Sequence, residues 1–311
     1  MPLDSQMKSL LDAMAAAKNP AFHTLTPQEA RRLAAARPQP GESEPVAKVE
    51  DRNIPSAGGG LPIRIYTPAG SPPFGALVYF HGGGWVLGDI AMTDQPCRLL
   101  ANASGCMVVS VEYRLAPEHK FPAGPEDCYT ATKWLSDQAA ELNVDPKRIA
   151  VGGTSAGATL AAAVSLMARD RSRPHIAYQL LVYPATTTEL TSVSHSQFAT
   201  DSYYILSRAD MEWFWGHYLN NDADRRNPYA CPAHANSLSG LPAAFVITAE
   251  FDPLRDEGEA YAVRLRNEGV ATIQKRYEGV THGFFGMPGL LEKAKVAIGD
   301  AAQALRSAIG T

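Results

Sequence analysis

The stretch Ile149-Ala150-Val151-Gly152-Gly153-Thr154-Ser155-Ala156-Gly157 decides the fold. It holds a Gly-x-Ser-x-Gly pattern between an apolar run rich in strand formers and an Ala/Leu-rich helical run, Ala158 to Ala168. A strand that turns sharply into a helix around a serine is the context a nucleophile elbow requires. The small neighbours let the backbone pass close to adjacent elements, and the turn holds the serine in a strained conformation. The helix N-terminus that follows favours negative charge developing at the site. Ser155 is therefore the candidate nucleophile.

Outward from this turn, short β-rich runs alternate with helical ones. Strands are expected at Val46–Val49, Ile63–Tyr66, Ala76–Phe80, Val108–Glu112, Ile149–Gly152, Tyr178–Tyr183, Ala244–Thr248 and Thr272–Tyr277. Helices are expected at 94–104, 124–141, 156–169 and 255–268. This alternation predicts an α/β fold with a mostly parallel sheet covered on both faces. The first three strands follow one another without helices, which makes that edge antiparallel and the sheet mixed. Thr272–Tyr277 is expected at a sheet edge, a place where a second copy can pair.

Two segments stand outside the alternation. Residues 1 to about 35 read as helical, with Leu10, Leu11 and Met14 at helical spacing and a capping box with Pro at Thr26-Pro27-Gln28-Glu29. The run from Arg37 to Pro45 breaks the pattern and reads as a linker. Residues 186–235 interrupt the later strands with a Thr/Ser-rich loop, a helix near 208–219 opened by Ser207 and Asp210, and two aromatic patches, Tyr203-Tyr204 and Trp213-Phe214-Trp215. These features suggest N-terminal helices and a linker over 1–45, and a main domain over 46–311 with an insertion at about 186–235. The insertion reads equally as a cap over the sheet's carboxyl edge or as a core-facing amphipathic helix.

A serine nucleophile needs a base and an orienting acid, which in this topology follow in the order Ser, Asp/Glu, His. His282 lies beyond the last expected strand, in Gly279-Val280-Thr281-His282-Gly283; His175, His195, His217 and His234 all precede the strand at 244–248. Asp252 falls in the loop just after that strand. Asp256 sits a turn into the next helix, where it suits the helix dipole, and Glu250, placed where the strand can still include it, is the weaker rival. His282 is thus expected to move the serine proton, and Asp252 to fix its tautomer. His81-Gly82-Gly83-Gly84-Trp85 directly follows the strand Ala76–Phe80. Consecutive glycines leave N–H groups unshielded, so this loop, with the N–H of Ala156, is the candidate oxyanion hole. No Lys-Ser/Thr follows and no Gly-x-Gly-x-x-Gly frame is present, which disfavours a phosphate loop.

Composition narrows the partners. With 28 basic against 32 acidic residues the net charge is -4, and no basic cluster suggests nucleic acid or anionic membrane. No apolar run is long enough to span a bilayer. The N-terminus lacks a basic n-region, so the expected location is cytoplasmic. Cys97, Cys106, Cys128 and Cys231 show no metal-binding spacing and read as small apolar fillers. No metal is expected.

His81-Gly-Gly-Gly-Trp85, Tyr113-Arg-Leu-Ala-Pro-Glu118 with Phe121-Pro122, the serine elbow, Asp252-Pro-Leu-Arg-Asp256 and His282-Gly-Phe284 together resemble the hormone-sensitive-lipase-like esterases, bacterial family IV of the α/β-hydrolase superfamily. The similarity spans nearly the whole chain and looks nearest to the family's thermostable bacterial carboxylesterases. It implies an eight-stranded α/β-hydrolase sheet in a catalytic domain over 46–311, a helical cap that the N-terminal helices join, and a monomeric or dimeric enzyme. The implied reaction is cleavage of short- to medium-chain acyl esters without a cofactor, with oxyanion donors at Gly83, Gly84 and Ala156. The elbow departs from the family's usual Gly-Asp-Ser-Ala-Gly-Gly, since Thr154 and Ala158 replace the aspartate and the last glycine. Neither belongs to the triad, so altered packing or rate is expected with the mechanism intact. Arg114 and Glu118 are expected to form a buried pair that acts as scaffold.

The small-molecule ester is expected to meet an apolar pocket lined by Trp85, Leu206, Met211, Phe214 and Trp215. The bulk of Trp215 suggests acyl chains of roughly C4–C8. An amidase, an interfacially activated lipase and a ligand-binding member without turnover are the rival readings. The last is disfavoured by the presence of His282.

Overall fold

The computed structural model describes residues 2–36, 43–199 and 203–310, so residues 37–42 of the expected linker lie outside the described residues. The described residues form one eight-stranded sheet: β1 (Lys48–Ser56), β2 (Gly59–Thr67), β3 (Phe74–Phe80), β4 (Met107–Val111), β5 (Val144–Thr154), β6 (Tyr178–Val182), β7 (Ala243–Phe251) and β8 (Thr272–Thr281). Their spatial order is β1-β2-β4-β3-β5-β6-β7-β8. β2 runs antiparallel to β1 and β4, and the remaining pairs are parallel. The expected mixed edge is present, but β4 rather than β3 lies beside β2. β3 is interior and buried along its whole length. The position at the edge expected for Thr272–Tyr277 is that of β8.

The pleat splits the core in two. Along β3, Val78 and Phe80 face one apolar cluster with α4 (Ala123–Asp137), α5 (Ala156–Asp170) and α8 (Arg255–Asn267). Leu77 and Tyr79 face the other, with α1 (Ser5–Ala17), α3 (Asp94–Ser104) and α9 (Glu292–Ile309). Side chains alternate across a strand, so a strand covered on both faces must be apolar at every position. The four cysteines are free and buried.

Two expectations about elements need correction. β1 begins at Lys48, not Val46, and continues through charged residues Glu50 to Arg52 into a turn before Gly59. It is an outer strand with mostly exposed side chains, so its polarity resembled a linker. α9 was not anticipated, although Ala294, Ala297, Ile298, Ala301, Ala302 and Leu305 place a small-residue stripe at helical spacing against the sheet. At the amino end, the Thr26–Glu29 capping box opens α2 (Pro27–Ala35) as expected. Between β6 and β7 lie α6 (Val193–Phe198) and α7 (Arg208–Tyr218), the latter opened by the expected Ser207–Asp210 box.

Candidate active site

The carboxyl ends of β3, β5, β7 and β8 carry the four segments singled out in the sequence. At the end of β5, Ser155 has φ 53° and ψ −122°, a conformation that costs a side-chain-bearing residue on the order of 1–3 kcal/mol. The turn is held by a 2.8 Å bond from the Ser155 N–H to the Val182 carbonyl and by the first bond of α5, Thr159 N–H to Ser155 O at 3.0 Å. A Cβ at Gly157 would stand 2.0 Å from the Phe80 carbonyl, so only glycine lets the elbow close onto β3.

The structure brings Ser155, His282 and Asp252 together. His282 Nε2 lies 2.9 Å from Ser155 Oγ, and His282 Nδ1 lies 2.8 Å from Asp252 Oδ2. Asp252 is fully buried, and its Oδ1 accepts the Leu254 N–H at 2.8 Å. The imidazole is further confined by Tyr183, whose ring centre is 4.6 Å away. The two rival acids are engaged elsewhere: Asp256 bonds Arg255 and the Ser194 N–H, and Glu250 accepts the Gly279 N–H. A carboxylate, an imidazole and a hydroxyl in line form a relay able to move a proton off the serine.

The loop after β3 is held open by its neighbours. Gly83, Gly84 and Trp85 all have positive φ, at 114°, 60° and 62°. A Cβ at Gly84 would stand 2.1 Å from the Phe214 ring. Tyr113 Oη donates to the His81 carbonyl at 2.8 Å, and the two rings stack at 4.2 Å. Burial pushes His81 down to about 4, so it is neutral, and its Nδ1 meets the Gly82 carbonyl at 2.7 Å. The Trp85 carbonyl accepts from Ala116, and the Gly83 carbonyl from Leu87. Gly83 and Gly84 N–H groups have no backbone acceptor among the described residues, and Ala156 opens α5, so its N–H is one of the free helix-end donors.

The five candidate lining residues are all buried, with Trp85 and Trp215 only 2% exposed. Phe214 reaches the glycine loop, while Trp85 stacks on Tyr218 at 4.4 Å and meets Trp215 at 4.3 Å. Leu206 and Met211 join the same core. Sequence reasoning missed a groove of about 390 Å³ between the N-terminal segment and the insertion, lined by Leu11, Met14, Phe22, Tyr203, Ile205 and Asp210. Phe22 lies 6.3 Å from Phe214, which links this groove to the glycine loop. Only the folded chain brings residues so distant in sequence together. The expected Arg114–Glu118 pair does not form. Arg114 instead binds Asp127 of α4 twice at 2.8 Å, and Glu118 turns outward to Arg31 of α2 at 2.7 Å. The turn between them points the two side chains at different helices.

Comparison with known proteins agrees with this geometry. A model of the α/β-hydrolase fold family matches residues 77–286. An arylesterase of Saccharolobus solfataricus is 40% identical over 304 residues, covering 96% of this chain and 97% of its own. Among solved structures, a hyperthermophilic esterase from Pyrobaculum calidifontis superposes with a TM-score of 0.92 at 42% identity, covering 99% of each chain. An ester hydrolase from the metagenome of Lake Arreo gives 0.95 at 39% identity, covering 99% of this chain and 100% of its own. The chain belongs to the α/β-hydrolase family, in its hormone-sensitive-lipase-like branch.

Proposed function

We propose that this α/β-hydrolase is a serine carboxylesterase that cleaves short- to medium-chain acyl esters through an acyl-enzyme. The observation that carries the reading is the unbroken relay from Asp252 through His282 to Ser155. Ser155 Oγ attacks the ester carbonyl carbon while His282 Nε2 takes its proton. The oxyanion is held by the N–H groups of Gly83, Gly84 and Ala156. Collapse of the intermediate breaks the bond to the alcohol oxygen, and His282 returns the proton to that leaving group. A water then repeats the sequence: His282 takes its proton, the hydroxyl joins the acyl carbon, and Ser155 leaves with the proton. Asp252 keeps the Nδ1 proton facing itself and stabilises the imidazolium. The chain's own side chains and N–H groups supply every step.

The N-terminal helices and the 186–235 insertion act as a cap that selects the substrate. The groove beside Phe22 leads by way of Phe214 to the glycine loop, which suits entry of a small ester. Trp85 ends the glycine loop and packs on Trp215, and their bulk beside the nucleophile loop favours acyl chains of roughly C4–C8 over longer ones. Relatives named arylesterase and esterase support ester over amide substrates. Among the described residues no helix is long and apolar enough to cross a membrane. A fluorophosphonate should label the wild type and leave Ser155→Ala unlabelled; absence of label on both overturns the reading. A series of p-nitrophenyl esters peaking at long chains would refute the short acyl site.

A further inference from the structure

Behind Asp252, three segments meet: the turn at Thr186–Thr187 after β6, the short helix α6, and the first turn of α8. Glu257 of α8 sits among them, its side chain 5% exposed. Its Oε1 accepts the N–H groups of Thr186 at 2.6 Å and Thr187 at 3.4 Å. Its Oε2 faces His195 Nε2 at 3.8 Å, and neither atom has a hydrogen-bond partner. The other ring nitrogen of His195 meets Ser192 Oγ at 2.7 Å. Ser194 of the same helix fastens it to the loop that carries Asp252: its Oγ donates to the Pro253 carbonyl at 2.6 Å and its N–H to Asp256 at 2.7 Å.

We propose that a protonated Glu257, paired with a neutral His195, is a positioning residue for hydrolysis: it ties α6 and α8 together beneath Asp252 and keeps a second anion away from it. The proposal rests on the reading of Ser155, His282 and Asp252 as the reacting triad. A small closing of the 3.8 Å gap lets one proton serve both unmet polar atoms in this dry interior, donated by the carboxyl and accepted by the ring. Burial favours this state from both sides, pushing Glu257 up to about 8 and His195 down. The charges that reach the pair are Asp252 and Asp256, which favour a protonated ring, and Arg208, which opposes it. Asp256 is held by Arg255, and Arg208 at the start of α7 binds Glu212. The Cys231 thiol, which feels the Glu257 charge, is itself pushed up to about 12 by burial. Asp252 is the anion that opposes ionisation of Glu257. Loss of the shared proton therefore sets two carboxylates against each other across one loop. The strain is relieved by moving the loop and, with it, His282.

Glu257→Gln tests this directly, because the amide keeps the shape, still accepts the Thr186 and Thr187 N–H groups and can donate to His195, but has no proton to lose. On p-nitrophenyl butyrate, the wild-type kcat should fall above a midpoint near 8. Glu257→Gln should stay within about threefold at pH 7 and shift that alkaline limb upward by a unit or more. Glu257→Ala should lose about tenfold or more in kcat with little change in KM. A Gln variant whose alkaline limb superimposes on the wild type's overturns the proposal, as does an Ala variant with wild-type kcat. Should either variant fold poorly, nitrogen-15 histidine spectra of the wild type decide, with the His195 signal identified by its loss in His195→Gln. A singly protonated ring at pH 7 supports the pair, and an imidazolium overturns it. Fluorophosphonate labelling in parallel separates the two readings. No label on the wild type refutes the triad, whereas label with an unmoved limb refutes the positioning role alone.

Discussion

The loops at the carboxyl edge of the sheet and the helical layer over them are held by different forces. The loops are fixed by backbone bonds and by contacts that leave no room for a methyl group, as at Gly157 against Phe80 and Gly84 against Phe214. The layer is fixed by side chains. His23 Nδ1 meets Asp210 at 2.9 Å, Tyr203 Oη donates to Asp12 at 3.0 Å, and Arg31 reaches Glu118, with exposed members in each contact. The exposed pairs among them, Tyr203–Asp12 and Arg31–Glu118, contribute little individually. The difference teaches that substitutions in the loops should change turnover of every ester alike. Substitutions in the layer should change which ester is preferred.

The largest expected effect tests the loop side. Asp252→Asn should lower kcat/KM about 10³–10⁴-fold on all esters without unfolding the protein, because the amide favours the wrong tautomer of His282. Gly157→Ala should cost about 10²-fold, since its Cβ would stand 2.0 Å from the Phe80 carbonyl and force the elbow away from β3; steady-state kinetics on acetate and hexanoate esters would show equal losses. Unequal losses would break the division between the two regions. His81 supplies a pH test of the glycine loop. Unfolded His81 gains a proton near pH 6.5, whereas the folded ring resists until about 4. Stability should therefore fall as pH drops through that window, by up to about 3 kcal/mol. Chemical denaturation of wild type and His81→Gln between pH 7 and 4 would isolate this loss.

The layer side predicts smaller effects. Phe214→Leu should change kcat/KM on short esters by less than about fivefold while shifting the optimum toward longer chains, as room opens beside the groove. An unchanged chain-length profile would remove Phe214 from the selecting surface. Thr154→Asp, which restores the family's usual elbow residue, should leave ester hydrolysis within about threefold. A gain from no activity would overturn the expectation that this elbow is already competent.

The sequence was most legible where local pattern and chemistry coincide. Ser155 stands between a strand and a helix, His282 and Asp252 follow strands in a known order, and the capping boxes at Thr26 and Ser207 open helices as written. Legibility failed where neighbours decide. β1 was displaced because an outer strand with solvent on its side chains carries the polarity of a linker. Arg114 and Glu118 were paired by proximity in sequence, yet each found a partner on a different helix. The groove at Phe22 and the Glu257–His195 contact join residues with no shared pattern, so only three-dimensional packing reveals them.

The placement of β8 carries a consequence for biosynthesis. Among the described residues β8 is one of two outer strands, pairs with β7 alone and comes last in chain order, and its end delivers His282. A nascent polypeptide carries Ser155 well before it carries the base. On the proposed chemistry, a chain that has not yet reached His282 holds an inert serine. Hydrolytic capacity arrives only once β8 and the loop after it have been made and paired, so the order of synthesis itself guards against premature cleavage.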